Sequence, residues 1–275
     1  MNPFDILRLT PKSNCGRCGY PACLAFAAAV ARDGEDPGRC PFLDRGRLAI
    51  GKPSPRTGGE EAQELALVAH LREKVGPLDF ATLAGPLGAA WQQESPDILT
   101  FPYLGRQTTV GKTAILIEGR EPDDHRDQIL LYNYVHGGGG RPPAGDWVGM
   151  ESLPNSISKR RTLAVYCEER LARLFSGRPP DLLLMAARPL DPRRGGSGSA
   201  ALDLVFPVLP IVPLEVLFWE AAPEDGFPAK VKVLFDRHVL DFLDLESLVF
   251  VAERLADRMG ELVPPEKDSP LRAIG

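Results

Sequence analysis

Long apolar runs are missing from this sequence. No stretch approaches the roughly 18 consecutive apolar residues that a membrane-spanning helix requires. The first 20 residues also lack the apolar segment and the small-residue cleavage site of a secretory signal peptide. The sequence therefore predicts a cytoplasmic protein that does not insert into a membrane.

A basic excess is missing as well, because 32 lysine and arginine residues stand against 37 aspartate and glutamate residues, for a formal net charge of -5. Proteins that bind nucleic acid or anionic membranes usually carry a positively charged surface. We therefore expect no nucleic-acid partner. The 275 residues, 44% of them hydrophobic, are enough for one large globular domain or two smaller ones.

Cysteine is scarce and unevenly placed. Of five cysteines, Cys15, Cys18, Cys23 and Cys40 lie before residue 41, and Cys167 stands alone. An odd number crowded into one short segment is unlike the disulfide framework of a secreted protein. Metal ligation by the first four is the better interpretation.

The four clustered cysteines have the spacing C-x2-C-x4-C-x16-C, within and after the segment NCGRCGYPAC. Gly16 and Gly19 permit positive φ angles, so that backbone N–H groups can turn towards sulfur. Pro21 suits the start of a helix over 22–32. Cys23 would then lie in the first helical turn, where the helix dipole favours a thiolate.

The predicted helix carries Leu24, Phe26, Ala27 and Val30 at helical spacing, which indicates a buried face. Zinc is the main chemical alternative to an iron–sulfur cluster. Zinc sites usually pair two short cysteine or histidine knuckles, however, whereas Cys40 is a single ligand that follows a helix. The two-cluster ferredoxin pattern is absent, so we expect one 4Fe–4S cluster.

The pattern C-G-x-C-G-x-x-x-C-x-x-F-A followed by C-P resembles the small iron–sulfur domain of the corrinoid iron–sulfur protein's large subunit. It is also similar to a domain in the B subunit of the Rnf electron-transport complex. The resemblance covers about the first 45 residues and implies that Cys15, Cys18, Cys23 and Cys40 bind one low-potential 4Fe–4S cluster. It also relates the chain to corrinoid proteins and their metabolism. Nothing after residue 45 resembles the remaining domains of those proteins.

Composition and periodicity divide the chain into four parts. We predict a cluster-binding domain over 1–45, a linker and helical segment over 46–94, an α+β domain over 95–262 and a polar tail over 263–275. In the second part, Leu65, Val68, Leu71 and Val75 form the predicted buried face of an amphipathic helix.

The third part alternates strand and helix signals without a parallel β-α-β rhythm, which indicates a mixed or antiparallel sheet. DILTF, GRQTTV and KTAILIEG are predicted strands, DLLLMAA is another, and the segment from ALDLV to KVKVLFD is a predicted antiparallel meander. Helices are predicted at 124–136, 158–175 and 245–259. The whole chain is therefore expected to be α+β, with a small helical iron–sulfur domain first.

The motifs VPLEVLFWEA, DGFPAKVKVLFD and FLDLESL resemble an uncharacterised domain family that often follows this type of cysteine block, chiefly in anaerobic prokaryotes. The resemblance implies that residues 95–262 form this domain. It implies an architecture and no activity.

Candidate sites in the second domain are few. GRQTTVGKT has one residue too many for a phosphate-binding loop and runs into a strand signal. The glycines after His136 are similar to the glycine-rich oxyanion loops of esterases, but the sequence has no G-x-S-x-G motif to supply a nucleophilic serine, so a hydrolase is not indicated. Cys167, beside Tyr166 on the predicted buried face of its helix, is expected to be a structural thiol. Lys159, Arg160 and Arg161 indicate a solvated face or, alternatively, a docking site for an acidic redox partner.

The sequence favours an iron–sulfur redox protein that transfers electrons to a partner protein or to a second cofactor. One alternative is a redox enzyme or activator whose second domain holds a tetrapyrrole, either cobalamin or haem, with His136 and His238 as candidate axial ligands. Another is an adaptor held together by zinc. Neither a catalytic residue nor an oligomeric state is predicted.

Overall fold

The computed structural model describes residues 6–7, 9–32, 35–43 and 58–264. Its contacts divide the chain into two compact units, Met1–Glu61 and Ala62–Gly275. Residues 33–34, which follow the helix predicted over 22–32, residues 46–57 of the predicted linker and helical segment, and residues 265–275 of the predicted tail lie outside the described residues. The domain boundaries at residues 45, 94 and 262 stay predictions.

The first unit contains helix α1, Cys23–Arg32, and a 3₁₀ turn, Pro37–Arg39. Its small apolar core comprises Ile6, Cys18, Phe26, Ala27, Cys40 and Leu43. Leu24 does not join this core and is 47% exposed. The prediction for Leu24 is wrong because Cys23, Phe26 and Ala27 share the buried face at helical spacing, and Leu24 lies about 100° around the helix from Cys23.

The second unit contains the other described helices. They are α2 (Gly58–Val75), which begins before the division between the units, α3 (Phe80–Ala84), α4 (His125–Gly137), α5 (Ile157–Leu163), α6 (Glu169–Phe175), α7 (Pro180–Ala187) and α8 (Leu245–Leu262). A π-helical turn, Ala164–Glu168, joins α5 to α6 and makes one continuous helical segment. The helices predicted at 124–136, 158–175 and 245–259 are therefore confirmed.

Two antiparallel sheets complete this unit. The first has the order β1-β2-β3-β4, with β1 (Ala90–Gln92), β2 (Ser95–Tyr103), β3 (Arg106–Gly111) and β4 (Ile115–Ile117). The second has the order β5-β9-β8-β7-β6, with β5 (Trp147–Gly149), β6 (Arg193–Arg194), β7 (Leu202–Leu209), β8 (Val212–Trp219) and β9 (Lys230–Asp236). The predicted meander is confirmed as β7, β8 and β9, because Pro210 and Ile211 turn the chain between β7 and β8.

Helix α8 lies at the centre of the second unit's helical layer and contacts α4, α5, α6 and α7. Asp244 caps its N-terminus by accepting a hydrogen bond from the Ser247 N–H at 2.7 Å. One apolar core unites both sheets and these helices. The fold is thus α+β, with a small helical unit first, as the sequence predicts. Among the described residues no helix is long and apolar enough to cross a membrane.

Three local predictions in the second unit are wrong. DLLLMAA is not a strand but most of helix α7, because Pro180 stands at its start, Asp181 follows in the first turn, and Leu183 and Ala187 share a buried face four residues apart. Leu65 and Tyr166, predicted on buried faces, are 49% and 56% exposed. The π-helical turn shifts the facing of Tyr166 relative to a regular α-helix.

Candidate metal centre

The segment around Cys15 and Cys18 is a tight turn that two glycines permit. Gly16 and Gly19 have φ angles of +71° and +85°, and the Gly19 N–H donates to the Gly16 carbonyl at 2.9 Å. Glycine adopts this left-handed conformation without the strain of a Cβ atom. The glycines therefore have the conformational role that the sequence predicts for them.

Cys23 is the first residue of α1, as predicted. Its backbone N–H donates to Asn14 Oδ1 at 2.8 Å. The Asn14 side chain therefore accepts a hydrogen bond from one of the N–H groups that have no partner within the helix at its start. This bond ties the residue before Cys15 to the helix that begins at Cys23. Asn14 was not singled out from the sequence, because it lies nine residues before Cys23, whereas the capping residue that a sequence pattern reveals directly flanks its helix.

Three side chains join the cysteine turn to the segment before Cys40. Tyr20 Oη donates to Glu35 Oε2 at 2.6 Å, and Arg39 Nη1 donates to the same oxygen at 2.9 Å. The Arg39 guanidinium also lies 5.9 Å from the centre of the Tyr20 ring. Sequence reasoning missed this link, because Tyr20 and Glu35 are far apart in the chain. The link holds the residue next to Cys40 against the segment between Cys18 and Cys23.

The four cysteines differ in exposure. Cys18, Cys23 and Cys40 are 9%, 7% and 4% exposed, whereas Cys15 is exposed. Cys18 and Cys40 belong to the same apolar core. A hydrogen bond from the Arg17 backbone N–H lowers the pKa of the Cys15 thiol, and a hydrogen bond with the Ser13 side chain makes the second-largest contribution in the same direction. Since thiolates are the metal-binding form of cysteine, this environment favours ligation.

The donor set fits an iron–sulfur cluster in its chemistry. Four free thiols lie in one small unit beside a helix N-terminus and positive-φ glycines. Among the described residues, no three side chains of His, Cys, Asp or Glu are grouped closely enough to hold a metal ion. The agreement with an iron–sulfur cluster therefore rests on the four cysteines being the right kind and number of donors, and not on the distances between their sulfur atoms.

The two histidines predicted as axial ligands occupy other positions. His136 is exposed in the last turn of α4, just before Gly138, which caps the helix with a φ angle of +72°. His238 follows β9, and its Nδ1 lies 2.9 Å from the Pro142 carbonyl oxygen. Neither lines the cavity of about 540 Å³ that the second unit presents beside α5. A tetrapyrrole bound by His136 or His238 stays a prediction.

The remaining candidate sites have structural explanations. Cys167 is fully buried, its Sγ donates to the Ala252 carbonyl at 3.1 Å, and burial raises the pKa of its thiol, so the predicted structural role is confirmed. The segment GRQTTVG forms strand β3 after its first glycine and does not precede a helix, as a phosphate-binding loop would. Lys112 forms an ion pair with Asp97 at 2.9 Å. Lys159 pairs with Glu246, whereas Arg160 and Arg161 line the cavity beside α5. Docking of an acidic partner at these arginines stays a prediction.

Comparison with known families identifies both parts of the chain. A family model described as "Domain of unknown function (DUF3786)" matches residues 79–258, which is more than half of the chain. The chain belongs to this family. A second model, described as "Putative Fe-S cluster", matches residues 11–42 and includes all four clustered cysteines. No solved structure matches the chain.

Similar curated proteins are subunits of larger assemblies. The B subunit of the ion-translocating oxidoreductase complex of Yersinia pestis bv. Antiqua (strain Antiqua) is 35% identical over 83 residues, 28% of this chain and 41% of the relative. The corresponding protein of Cronobacter sakazakii is 56% identical over 32 residues, 12% of this chain and 17% of the relative. The gamma subunit of the acetyl-CoA decarbonylase/synthase complex of Methanocaldococcus jannaschii is 41% identical over 44 residues, 16% of this chain and 9% of the relative.

The chain thus spans less than half of the length of these relatives. The matches confirm the resemblances drawn from the cysteine block and from the second domain. They support an iron–sulfur cofactor in the N-terminal segment.

Proposed function

We propose that this protein is an electron carrier that binds one 4Fe–4S cluster through Cys15, Cys18, Cys23 and Cys40 and exchanges electrons with a partner protein. The observation that carries the proposal is the set of four free thiols within the segment that matches the iron–sulfur family model. The relatives named above are subunits of an oxidoreductase complex and a decarbonylase/synthase complex, which supports a protein partner.

A bound cluster supplies reversible one-electron chemistry at this unit. The chain's own residues position and shield the ligands. Cys18 and Cys40 are packed among Phe26, Ala27 and Leu43, which limits the access of water to their sulfur atoms. The first turn of α1 presents backbone N–H groups near Cys23, and such groups stabilise negative charge on sulfur. Burial and hydrogen bonding of this kind set the reduction potential of iron–sulfur centres.

The ligand assignment is tested by anaerobic purification and reconstitution of the full chain. The wild type is expected to hold about four iron and four sulfide ions, with a cluster absorption that bleaches on reduction. Cys18→Ala should lose most of this iron and sulfide while the second unit stays folded, as shown by circular dichroism. Cys167→Ala is the matched control, because it removes a buried cysteine from the other unit.

Two results would contradict the proposal. About one equivalent of zinc without iron, after strictly anaerobic preparation, would identify the zinc-bound adaptor instead. Equal iron loss in Cys18→Ala and Cys167→Ala would show that the four-cysteine set is not the ligand set. Cobalt or a Soret band in the same preparation would support the predicted tetrapyrrole, for which the described residues offer no specific observation.

A further inference from the structure

The exposure of the four cysteines is asymmetric. Cys15 is exposed, whereas each of the other three is at most 9% exposed. If these four residues hold a cluster, the side nearest Cys15 is the one that a partner can approach most closely. Electron transfer becomes rapidly slower with distance, so the face around Cys15 is the favoured route for electrons.

An exposed aromatic residue lies on the chain next to the cysteine ligands. Phe42, two residues after Cys40, is 49% exposed, although its neighbour Leu43 is 6% exposed and lies in the core of the unit. The Arg17 guanidinium lies 5.3 Å from the centre of the Phe42 ring. Arg17 lies between Cys15 and Cys18 in the sequence. The Arg17–Phe42 pair therefore connects the exposed side of the first cysteine turn to the segment of Cys40.

Two positively charged residues lie within three positions of Cys15 in the sequence, in the part of the unit that the structure describes. Lys12 and Arg17 are exposed and form no ion pair among the residues that the structure describes. Two acidic residues that the structure describes in this unit are engaged elsewhere, since Glu35 binds Tyr20 and Arg39, and Asp36 accepts the Gly38 N–H at 2.7 Å. The open cations occur in a chain whose formal net charge is -5.

We propose that the face formed by Arg17 and Phe42 beside Cys15, with the exposed Lys12 three residues before Cys15 in the chain, is the docking surface for an acidic one-electron redox protein. Arginine and aromatic side chains are enriched in the energetically dominant centres of protein interfaces. The open cations steer a partner of negative charge towards this face. One electron crosses it, so that the donor loses the electron that the acceptor gains, and no bond forms or breaks. This inference rests on the proposed function.

The test uses an acidic [2Fe–2S] ferredoxin as the probe. Its affinity for the reconstituted full chain is measured by calorimetry with both proteins oxidised, and electron transfer from the reduced ferredoxin is followed by stopped-flow absorbance. A viologen with a single sulfonate group, whose one-electron-reduced form has zero net charge, serves as a second reductant that needs no docking surface. Iron content is measured for every variant, so that changes in docking are separated from loss of the cluster.

Arg17→Gln and Phe42→Ala should each weaken ferredoxin binding about fivefold or more. Arg17→Gln should also reduce the dependence of binding on salt concentration. Reduction by the viologen should be unchanged. The controls are Arg120→Gln, an exposed arginine of the second unit, and Leu24→Ala, which removes a side chain of similar exposure from the same unit. Both controls should bind ferredoxin within twofold of the wild type.

The docking proposal is overturned if wild-type protein with a full cluster reacts with the viologen but does not bind ferredoxin. It is also overturned if both test variants bind normally, or if the controls lose as much affinity as the test variants. These outcomes leave the proposed electron carrier intact. Absence of iron and sulfide from the wild type would instead refute the proposed function itself.

Discussion

Glu215 is an acidic residue in the middle of strand β8 with only 4% of its surface exposed. Glu215 pairs with Val205 on strand β7, and Asp203 lies two residues further along β7 on the same side of the sheet. Burial, together with the neighbouring charge and hydrogen bonding of Asp203, raises the pKa of Glu215 to about 7. Glu215 is therefore expected to keep its proton well above the pH at which an exposed glutamate loses it.

Asp203 explains why this proton matters. Its Oδ2 accepts the Ser197 N–H at 2.6 Å, whereas its Oδ1 is buried without a hydrogen-bond donor among the described groups. A protonated Glu215 can donate the hydrogen bond that Asp203 Oδ1 otherwise lacks. Ionised Glu215 would instead place a second negative charge beside Asp203, with the desolvation cost of a buried carboxylate.

The sign and size of the effect follow from proton linkage. Below pH 4.5 both the folded and the unfolded chain hold this proton. Between pH 4.5 and about 7 only the folded chain holds it, so the free energy of unfolding falls as the pH rises. Each pH unit of that interval corresponds to about 1.4 kcal/mol, which gives a loss of about 3 kcal/mol that is complete above pH 7.

Glu215→Gln keeps the size and the donor while removing the titration. We expect wild type and variant to have similar free energies of unfolding near pH 4.5, and the variant to be more stable by about 3 kcal/mol at pH 8. Urea denaturation monitored by tryptophan fluorescence, in steps of half a pH unit, measures both curves. Glu220→Gln, the same change at an exposed position just after β8, is the control. Parallel curves for wild type and Glu215→Gln from pH 5 to 8 would refute the reasoning.

Two further predictions concern stability at fixed pH. Gly105→Ala should cost at least about 2 kcal/mol more than Gly119→Ala, because both positions have positive φ but only at Gly105 would the new Cβ clash with the Pro189 carbonyl oxygen. Equal losses in chemical denaturation would contradict the predicted clash. Asp127→Asn should cost on the order of 3 kcal/mol, because Asp127 is 2% exposed and accepts two hydrogen bonds from Arg254 at 2.8 Å. A midpoint of thermal unfolding within a degree of the wild type would contradict this role for the ion pair.

The elements that could be predicted from sequence are those whose signal is local. The meander β7–β8–β9 was predictable because its prolines exclude a long helix and leave two apolar strand segments beside them. Helix α8 was predictable from its apolar periodicity and its aspartate cap. The position of Cys23 at the start of α1 followed from Pro21 and from the apolar residues after it.

The errors share a physical cause. DLLLMAA is apolar along its whole length, and such a run fits a buried strand or a helix equally well until tertiary packing selects one. Leu24 and Leu65 occupy positions that their helices could have buried, but the packed faces lie to one side of them. Tyr166 lies in a π-helical turn, which changes the angular spacing that a sequence pattern assumes.

Sequence alone determined what the N-terminal unit can carry. The kind, number and spacing of Cys15, Cys18, Cys23 and Cys40 are covalent facts of the chain, and they restrict the chemistry before any folding is considered. The capping role of Asn14 at Cys23 belongs to the tertiary structure, and so does the link of Tyr20 to Glu35 and Arg39.

Only the tertiary structure decided which of these groups face water. It leaves Cys15, Arg17 and Phe42 exposed, buries Cys18 and Cys40, and places Glu215 beside Asp203 across two strands. Exposure and carboxyl pairing depend on which segments pack together, and that choice minimises the free energy of the whole chain. No local pattern of residues encodes it.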